Sequence, residues 1–346
     1  MPKVLVIRLS SFGDVAMLVP AVYSVAARYP QTKFHVLTRS AFAPLFDNLG
    51  FNISSISVDL NDTHSGFGFF KIFKHLRGQG FTHIVDEHDV LRSKIVRNYL
   101  RLVGKKIFVI DKGRREKRTI IRTKKTYPPL EPTVGRYLDV FEKAGFPAEM
   151  TFSNYFEFSN RDFYQLRHVI KEKKGQWIGI APFSKHEQKN YPIDRMEKIV
   201  AELSANGDYN IFLFGGSREE RKMLEEWSLK YKNVNNMSKR LSLMNELLLI
   251  SYLEVMISMD SANMHLASLV QVPVVSIWGA THPSLGFYGF NQDLCNAIQI
   301  EDLDCRPCSV YGNIPCARGD LACLTRISEQ SILDKTISIL EKNKQK

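Results

Sequence analysis

Residues 258–268 have the sequence SMDSANMHLAS, which predicts a turn between a strand and a helix. The apolar residues 253–257 before it predict a buried strand, and residues 264–269 predict the first turns of a helix. Asp260 and Ser261 therefore lie at the carboxyl end of a strand. Open α/β sheets bind ligands at this edge, because free backbone N–H groups and the positive end of a helix dipole converge there.

His265 lies one helical turn beyond this point, so its imidazole can lean back over the same edge. Two interpretations stay open for the turn. In one, Asp260, Ser261 and His265 contact a ligand. In the other, Asp260 and Ser261 only cap the helix, and His265 is a packed or solvated side chain.

The rest of the chain alternates strands and helices on both sides of this turn. Residues 147–160 separate the chain into two such sets. The predicted strands are 4–9, 34–37, 53–58, 83–85 and 107–110 in the first set, and 177–181, 211–214, 253–257 and 274–278 in the second. Such alternation predicts right-handed βαβ units and parallel sheets, and 346 residues suit two domains.

Charge distinguishes the two halves of the chain. The net formal charge is +11; residues 1–160 carry 24 Lys and Arg against 14 Asp and Glu, whereas residues 161–346 carry 23 against 22. Most of the excess lies in residues 92–125, with 14 basic residues and two acidic ones. This asymmetry predicts an acidic partner for the first half: nucleic acid, anionic lipid, or a phosphorylated or carboxylated small molecule.

The composition, with 44% hydrophobic and 24% charged residues, is that of a folded soluble protein. No apolar run approaches the ~18 residues needed to span a bilayer. The first residues predict a strand interrupted by Arg8, without the cleavage site of a signal peptide. We therefore expect a cytoplasmic protein that touches a membrane only at its surface.

Five cysteines lie in the last fifth of the chain, at positions 295, 305, 308, 316 and 323. Cys305, Cys308, Cys316 and Cys323 could hold a structural zinc ion tetrahedrally, beginning with a CxxC motif. The alternative is that they are small buried thiols, which are common in protein cores. A reducing compartment argues against disulfides.

Three motifs, in order along the chain, resemble those of a known family. They are SSFGDV at 10–15, KNYP at 189–192, and DSANMHLA at 260–267 followed by VVSIWGATHP at 274–283. Together they resemble glycosyltransferase family 9, the ADP-heptose:lipopolysaccharide heptosyltransferases, over nearly the whole chain. The resemblance implies an α/β protein with the GT-B fold, in which two Rossmann-like, doubly wound domains face a central cleft.

The same resemblance implies a division of labour along the chain. Residues 1–155 would form the N-terminal acceptor-binding domain, and residues 156–326 the nucleotide-sugar donor-binding domain. Residues 327–346 would form a C-terminal helix that packs back on the N-terminal domain. Closure of the two domains would exclude water from the reaction.

The implied reaction is inverting transfer of a heptose from an ADP-heptose-type donor, with no cofactor or metal required for catalysis. Asp14 matches the family's catalytic base. An inverting transfer needs one carboxylate to take the proton of the acceptor hydroxyl while the anomeric carbon is attacked. The alternative role for Asp14 is to cap the following helix.

Donor contacts are also implied by the resemblance. They are Ser184, Lys185, Lys189, Glu219, Asp260, Ser261, Ala262 and His265. Lys189 would pair with the phosphates, where leaving-group charge develops, and either Glu219 or Glu220 would face the ribose. Ala262 stands where the family often has glycine, which adopts positive φ angles more readily. Apart from the resemblance, a loop lysine or glutamate is usually only solvated.

The acceptor implied by the resemblance is the inner core of lipopolysaccharide, rich in carboxylates and phosphates. The expected contacts are Ser11, Gly13, Arg92, Lys94, Arg114, Arg115, Lys117 and Arg118. Arginine suits such groups because it can bind them with two parallel hydrogen bonds. The alternative is a solvated basic loop. We expect a monomer that does not bind nucleic acid.

Two other functions remain open on sequence grounds. A nucleotide-sugar epimerase on the same fold would release an altered sugar nucleotide without an acceptor. A non-enzymatic protein that binds an anionic ligand or nucleic acid would show salt-dependent binding but no affinity for a donor nucleotide.

Overall fold

The computed structural model describes residues 1–59, 66–157 and 161–344. The chain forms two compact units. The first consists of Met1–Lys112 and Glu131–Tyr155, and the second of Gly113–Leu130 and Phe156–Lys346.

Each unit is built on a parallel sheet. The strands are β1 (Lys3–Ile7), β2 (Lys33–Arg39), β3 (Ile53–Val58), β4 (His83–Asp86), β5 (Lys106–Val109), β6 (Gln176–Ala181), β7 (Tyr209–Leu213), β8 (Val234–Asn236), β9 (Val255–Met259), β10 (Val274–Ile277) and β11 (Ala297–Ile298). The first sheet has the order β3-β2-β1-β4-β5, and the second has the order β11-β10-β9-β6-β7-β8. Every strand pairing among the described residues is parallel. The predicted doubly wound α/β architecture is confirmed.

Helices connect the strands. Within the described residues they are α1 (Phe12–Arg28), α2 (Pro44–Asp47), α3 (Gly66–Gly78), α4 (Leu91–Leu102), α5 (Arg114–Thr123), α6 (Thr133–Lys143), α7 (Ile193–Ala205), α8 (Arg218–Lys230), α9 (Leu243–Ile250), α10 (Ala262–Leu269), α11 (Ala322–Thr325) and α12 (Glu329–Lys344). Among the described residues, no helix has the length and apolar character needed to cross a membrane.

The core of each unit lies between its sheet and the helices that cover it. In the first unit β1 is central, and Val4, Leu5, Val6 and Ile7 are completely buried. This is why the strand is apolar on both faces. The carboxyl ends of β1 and β4 meet at one edge, since Ile7 pairs with Asp86. The corresponding edge of the second sheet joins β6, β9 and β10.

The last helix, α12, buries its apolar face in the second unit. Ile332, Leu333, Ile339 and Leu340 belong to the core cluster of that unit. The sequence analysis expected this helix to pack back on the N-terminal domain. These side chains pack onto the second sheet and onto α7, and packing of the helix on the N-terminal domain stays a prediction.

The basic segment of residues 113–130 belongs to the second unit, although it comes before the interdomain segment in the sequence. Lys117 is buried, and its Nζ lies 3.9 Å from the centre of the Phe287 ring. Lys124 Nζ donates a hydrogen bond of 2.7 Å to the carbonyl oxygen of Pro307. These contacts attach α5 to a part of the chain some 170 residues later. A single division of the chain at residue 155 would assign α5 to the first unit, whereas it belongs to the second.

Candidate active site

Asp14 lies in the first turn of α1, at the carboxyl edge of the first sheet. Ser11 is the N-cap of this helix and Asp14 is its third residue. The backbone N–H and the hydroxyl of Ser11 donate to Asp14 Oδ2, at 3.1 and 2.6 Å. Arg8 Nη2 contacts the same oxygen at 2.7 Å. The sequence SSFGD thus places a carboxylate in a reciprocal capping arrangement, rather than as the cap itself.

The Asp14 carboxyl is held as an anion. Burial by itself would raise its pKa, but the Arg8 guanidinium and the two hydrogen bonds from Ser11 outweigh burial and lower the pKa to about 2. All these contacts converge on Oδ2. Oδ1 has no hydrogen-bond partner among the described residues, and the side chain is 22% exposed. One oxygen of the carboxylate can therefore accept a proton from an incoming hydroxyl.

Arg8 is fixed from several sides at the end of β1. Its side chain is buried, and Nη1 donates to the carbonyl oxygen of Glu87 at 2.5 Å. The guanidinium lies 5.8 Å from the centre of the Tyr137 ring, and the Tyr137 hydroxyl donates to the Asp14 carbonyl oxygen at 3.2 Å. Glu87 itself is completely buried, and burial raises the pKa of its carboxyl well above the usual value. Arg8 forms its ion pair with Asp14.

His88 holds the loop between β1 and α1. Its Nδ1 accepts the Leu9 N–H at 3.4 Å, so the ring proton is assigned to Nε2, which lies 3.3 Å from Ser10 Oγ. The His88 backbone N–H donates to Asp86 Oδ1 at 2.9 Å. Burial lowers the pKa of His88 to about 3, so the ring is neutral.

In the second unit, Asp260 forms a buried pair with Lys189 at the end of β9. Lys189 Nζ lies 2.8 Å from Asp260 Oδ2, and Thr281 Oγ1 donates to the same oxygen at 2.7 Å. Ser261 is the N-cap of α10, and its side chain makes no capping hydrogen bond. Backbone N–H groups at the start of α10 and an oriented ammonium group therefore lie at the same edge, a combination that suits an anion.

Two glycines allow the Lys189 loop to reach this position. A Cβ at Gly279 would lie 2.7 Å from the carbonyl oxygen of Gln188, which accepts the Ala280 N–H at 3.1 Å. Gly312 has φ +70°, and a Cβ there would lie 2.6 Å from Cγ and Cδ of Lys189. Any larger residue at either position must displace the loop or the lysine.

The other predicted donor residues lie at the same carboxyl edge or next to it. Ser184 follows β6, and its N–H donates to Asn190 Oδ1 at 2.6 Å. Lys185 is exposed, and His265 is buried in α10, whose first residue is Ala262.

The structure distinguishes the two glutamates at the start of α8. Glu220 Oε2 accepts the N–H groups of Gly216 and Ser217, at 2.6 and 3.0 Å, and so caps the helix. Glu219 is exposed. Of the two, Glu219 is the one whose carboxylate is not used in the cap.

The predicted acceptor residues fall into two groups. Ser11 and Gly13 lie beside Asp14 in the first unit, which also contains Arg92 and Lys94 on α4. The second group, on α5, belongs to the second unit: Arg114, Arg115 and Arg118 are exposed and Lys117 is buried. A contact of Lys117 with a ligand would require its side chain to leave the Phe287 ring.

The cysteines do not form the predicted zinc site. Cys305, Cys308, Cys316 and Cys323 are all free, and the described residues contain no group of three or more His, Cys, Asp or Glu arranged for a metal ion. Burial raises the pKa of Cys323 to about 11, so it is a protonated thiol at neutral pH.

Within the CxxC motif, the residue with a clear structural role is the arginine between the two cysteines. Arg306 is buried and donates to the carbonyl oxygens of Gly279 and Thr281, at 2.6 and 2.9 Å. It thereby fixes the loop after β10 that carries Thr281.

Arg8, His88 and Thr281 are among the residues at these sites that were not predicted. A signal was present for Arg8, which is a charged residue at the end of an otherwise apolar strand. Thr281 lies in the predicted GATHP motif, but nothing in the sequence indicates its contact with Asp260. The contacts of His88 join loops that are 78 or more residues apart, so they depend on strand order.

The whole fold is shared with solved glycosyltransferases. The ADP-heptose lipopolysaccharide heptosyltransferase II of E. coli is 17% identical, with a TM-score of 0.73 over 99% of each chain. The E. coli heptosyltransferase WaaC with ADP is 17% identical, with a TM-score of 0.68 over 97% of this chain and 99% of that one. These likenesses show that the two parallel sheets belong to a GT-B fold of the kind found in heptosyltransferases.

The sequence profile of glycosyltransferase family 9 (heptosyltransferase) matches residues 69–314, and the chain belongs to this family. The lipopolysaccharide core heptosyltransferase OpsX of Haemophilus influenzae is 24% identical over 293 residues, which cover 82% of this chain and 80% of that protein. The family predicted from three short motifs is therefore confirmed.

Proposed function

We propose that this protein is an inverting heptosyltransferase, which transfers a heptose from an ADP-heptose-type donor to the inner core of lipopolysaccharide. The observation that carries the proposal is the anionic Asp14, with one oxygen available, in a member of family 9. Similarity to a lipopolysaccharide core heptosyltransferase supports the acceptor class.

In the proposed reaction, the acceptor oxygen bonds to the anomeric carbon while the bond from that carbon to the diphosphate breaks. Asp14 Oδ1 takes the hydroxyl proton, ADP leaves, and the configuration inverts. A carboxylate with a low pKa is a weak base. It therefore accepts the proton late, after the new carbon–oxygen bond has made the hydroxyl acidic. Arg8 and Ser11 hold Oδ2 and so orient the other oxygen.

The donor diphosphate would bind at the Asp260 turn. Lys189 and the N–H groups at the start of α10 would receive the negative charge that develops on the leaving group. Asp260 and Thr281 keep Lys189 in place before the donor arrives. Glu219 would face the ribose, with Ser184, Lys185, Ser261, Ala262 and His265 completing the donor site.

The acceptor would be held by cations. Arg92 and Lys94 on the first unit, and Arg114, Arg115 and Arg118 on the second, offer guanidinium and ammonium groups for carboxylates and phosphates. We further propose that the protein works as a monomer in the cytoplasm, touches the inner membrane at its surface, and requires no metal for catalysis.

Transfer can be tested with purified protein, ADP-heptose and heptose-free lipopolysaccharide. We expect mass spectrometry to detect one added heptose, with release of one ADP, and ADP alone to raise the melting temperature. An altered sugar nucleotide formed without acceptor would instead identify an epimerase. Salt-sensitive binding of nucleic acid without affinity for ADP would identify a binding protein.

A further inference from the structure

Helix α4 presents an apolar stripe to solvent. Leu91 is 74% exposed, Ile95 39% and Leu102 87%. At 100° per residue, these three positions lie within about 40° of one another around the helix. The opposite face is anchored in the first unit through Val96 and Leu100, which are buried. The stripe is therefore a fixed feature of the folded unit.

Cations border the stripe. Lys94 and Arg101 are exposed on α4, on one side of the apolar residues. The neighbouring helix α3 packs on α4 through the stacked rings of Phe73 and Tyr99, whose centres lie 4.3 Å apart. The two helices together contain seven Lys and Arg and no Asp or Glu. Those of α3 are exposed: Lys71, Lys74 and Arg77.

Exposed leucines flanked by cations suit contact with an anionic lipid bilayer. Apolar side chains enter the boundary between head groups and acyl chains, and the cations attract anionic head groups. A nucleic acid would use the cations but not the leucines, because base stacking requires aromatic side chains. We infer that the exposed face of α4, with the basic edge of α3, docks on an anionic phospholipid bilayer.

Docking through α4 would place the bilayer close to Asp14, and the meaning of this position rests on the proposed function. Leu91 comes three residues after His88, so α4 begins at the carboxyl edge where Arg8 holds Asp14. The helix is about 18 Å long. A bilayer in contact with α4 would therefore lie next to the catalytic edge of the first unit, where the sugar of a lipid-anchored acceptor emerges.

Cosedimentation with vesicles tests the docking surface. The full chain is mixed with vesicles of phosphatidylcholine containing one-third phosphatidylglycerol, or of phosphatidylcholine alone. We expect binding to the anionic vesicles only, and a decrease of about tenfold in affinity for the double variant Ile95→Ser/Leu102→Ser. Arg101→Glu should also weaken binding.

The matched control is Leu229→Ser on α8, which changes a leucine that is 81% exposed in the second unit. It should bind vesicles like the wild type. Equal binding by the wild type and the Ile95→Ser/Leu102→Ser variant, or equal losses for that variant and Leu229→Ser, would overturn the inference.

Transfer to a water-soluble core oligosaccharide, measured without vesicles, separates this inference from the proposed function. The Ile95→Ser/Leu102→Ser variant should retain wild-type turnover and melting temperature in that assay. If the wild type binds vesicles through α4 but transfers no heptose, the proposed function fails and the docking surface stands. If it transfers heptose but does not bind anionic vesicles, the docking surface fails and the proposed function stands.

Discussion

Arg8 and Asp14 form the ion pair on which the proposed chemistry depends, and Asp14 is the residue to remove first. We expect Asp14→Ala to reduce transfer by at least about a hundredfold, since general-base catalysis contributes 10²–10⁴-fold. Affinity for ADP should hardly change, because the Asp260 turn is a separate site on the second unit. Single-turnover transfer and ADP titration by calorimetry measure the two quantities. Turnover near that of the wild type would show that Asp14 is not the base.

The Arg8 guanidinium controls the pKa of Asp14, and therefore the acid limit of activity. With Arg8 in place the pKa is about 2, so the carboxylate stays charged well into the acid range. In Arg8→Met only the hydrogen bonds from Ser11 still offset the effect of burial, so the pKa should rise. The acid limb of the kcat/KM–pH profile should therefore move to higher pH, while the activity above that limb partly persists. An unchanged acid limb would mean that Arg8 does not set this pKa.

The same pair contributes to stability, with a definite sign. The pKa of Asp14 is lower in the folded protein than its ordinary value of 3.8. Its contribution is therefore fully present above pH 4 and is lost as the pH falls towards 2. The sequence identified Asp14 through its motif and marked Arg8 as unusual, but the pairing itself depends on side-chain positions after the β1–α1 turn has formed.

Among the elements, the loops after β6 and β10 build the proposed phosphate site, and Gly312 leaves room there for the Lys189 side chain. We expect Gly312→Ala to weaken ADP binding by about tenfold or more, because its Cβ would lie 2.6 Å from the Lys189 side chain. Lys189→Ala should also weaken ADP binding, and it should lower turnover.

Gly319→Ala is the matched control for this change. Gly319 has a similar φ of +77°, but no atom lies within 4 Å of the added Cβ. Both variants carry the backbone strain of a left-handed conformation, so both should lose some stability in thermal melts. Only Gly312→Ala should lose affinity for ADP. Similar losses of affinity in both would attribute the effect to loop strain rather than to Lys189.

The sequence predicted the buried central strands better than the edge strands of the second sheet. β1, β6 and β10 are apolar runs buried on both faces, and their predicted bounds differ from the observed ones by no more than two residues. β8 and β11 were missed because strands of three and two residues carry no detectable periodicity. The β9 prediction began two residues early, since Leu253 is a buried residue of the preceding turn.

At the scale of the whole molecule, the sequence predicted which residues carry the excess positive charge, but not which unit each of them packs with. The charge of residues 1–160 predicted a basic N-terminal domain, whereas α5 packs with the second unit. Nothing local in the sequence indicates that Lys117 packs on Phe287, since the contact joins residues 170 positions apart. Exposed cations therefore occur on both units, and the acceptor contacts proposed on α5 belong to the second unit.

The double variant Arg114→Glu/Arg115→Glu tests whether α5 binds the acceptor locally or only adds to the overall field. The comparison is Lys222→Glu/Lys232→Glu, which changes the net charge by the same amount at exposed positions in and after α8. Local contacts predict that only the α5 variant raises the KM for lipopolysaccharide, by about tenfold or more, with little change in kcat at saturating acceptor. A general field predicts equal increases that disappear at high salt, since exposed charges are screened beyond about 10 Å at 0.1 M ionic strength. Measuring both variants at low and high salt therefore decides between a binding site on α5 and nonspecific attraction.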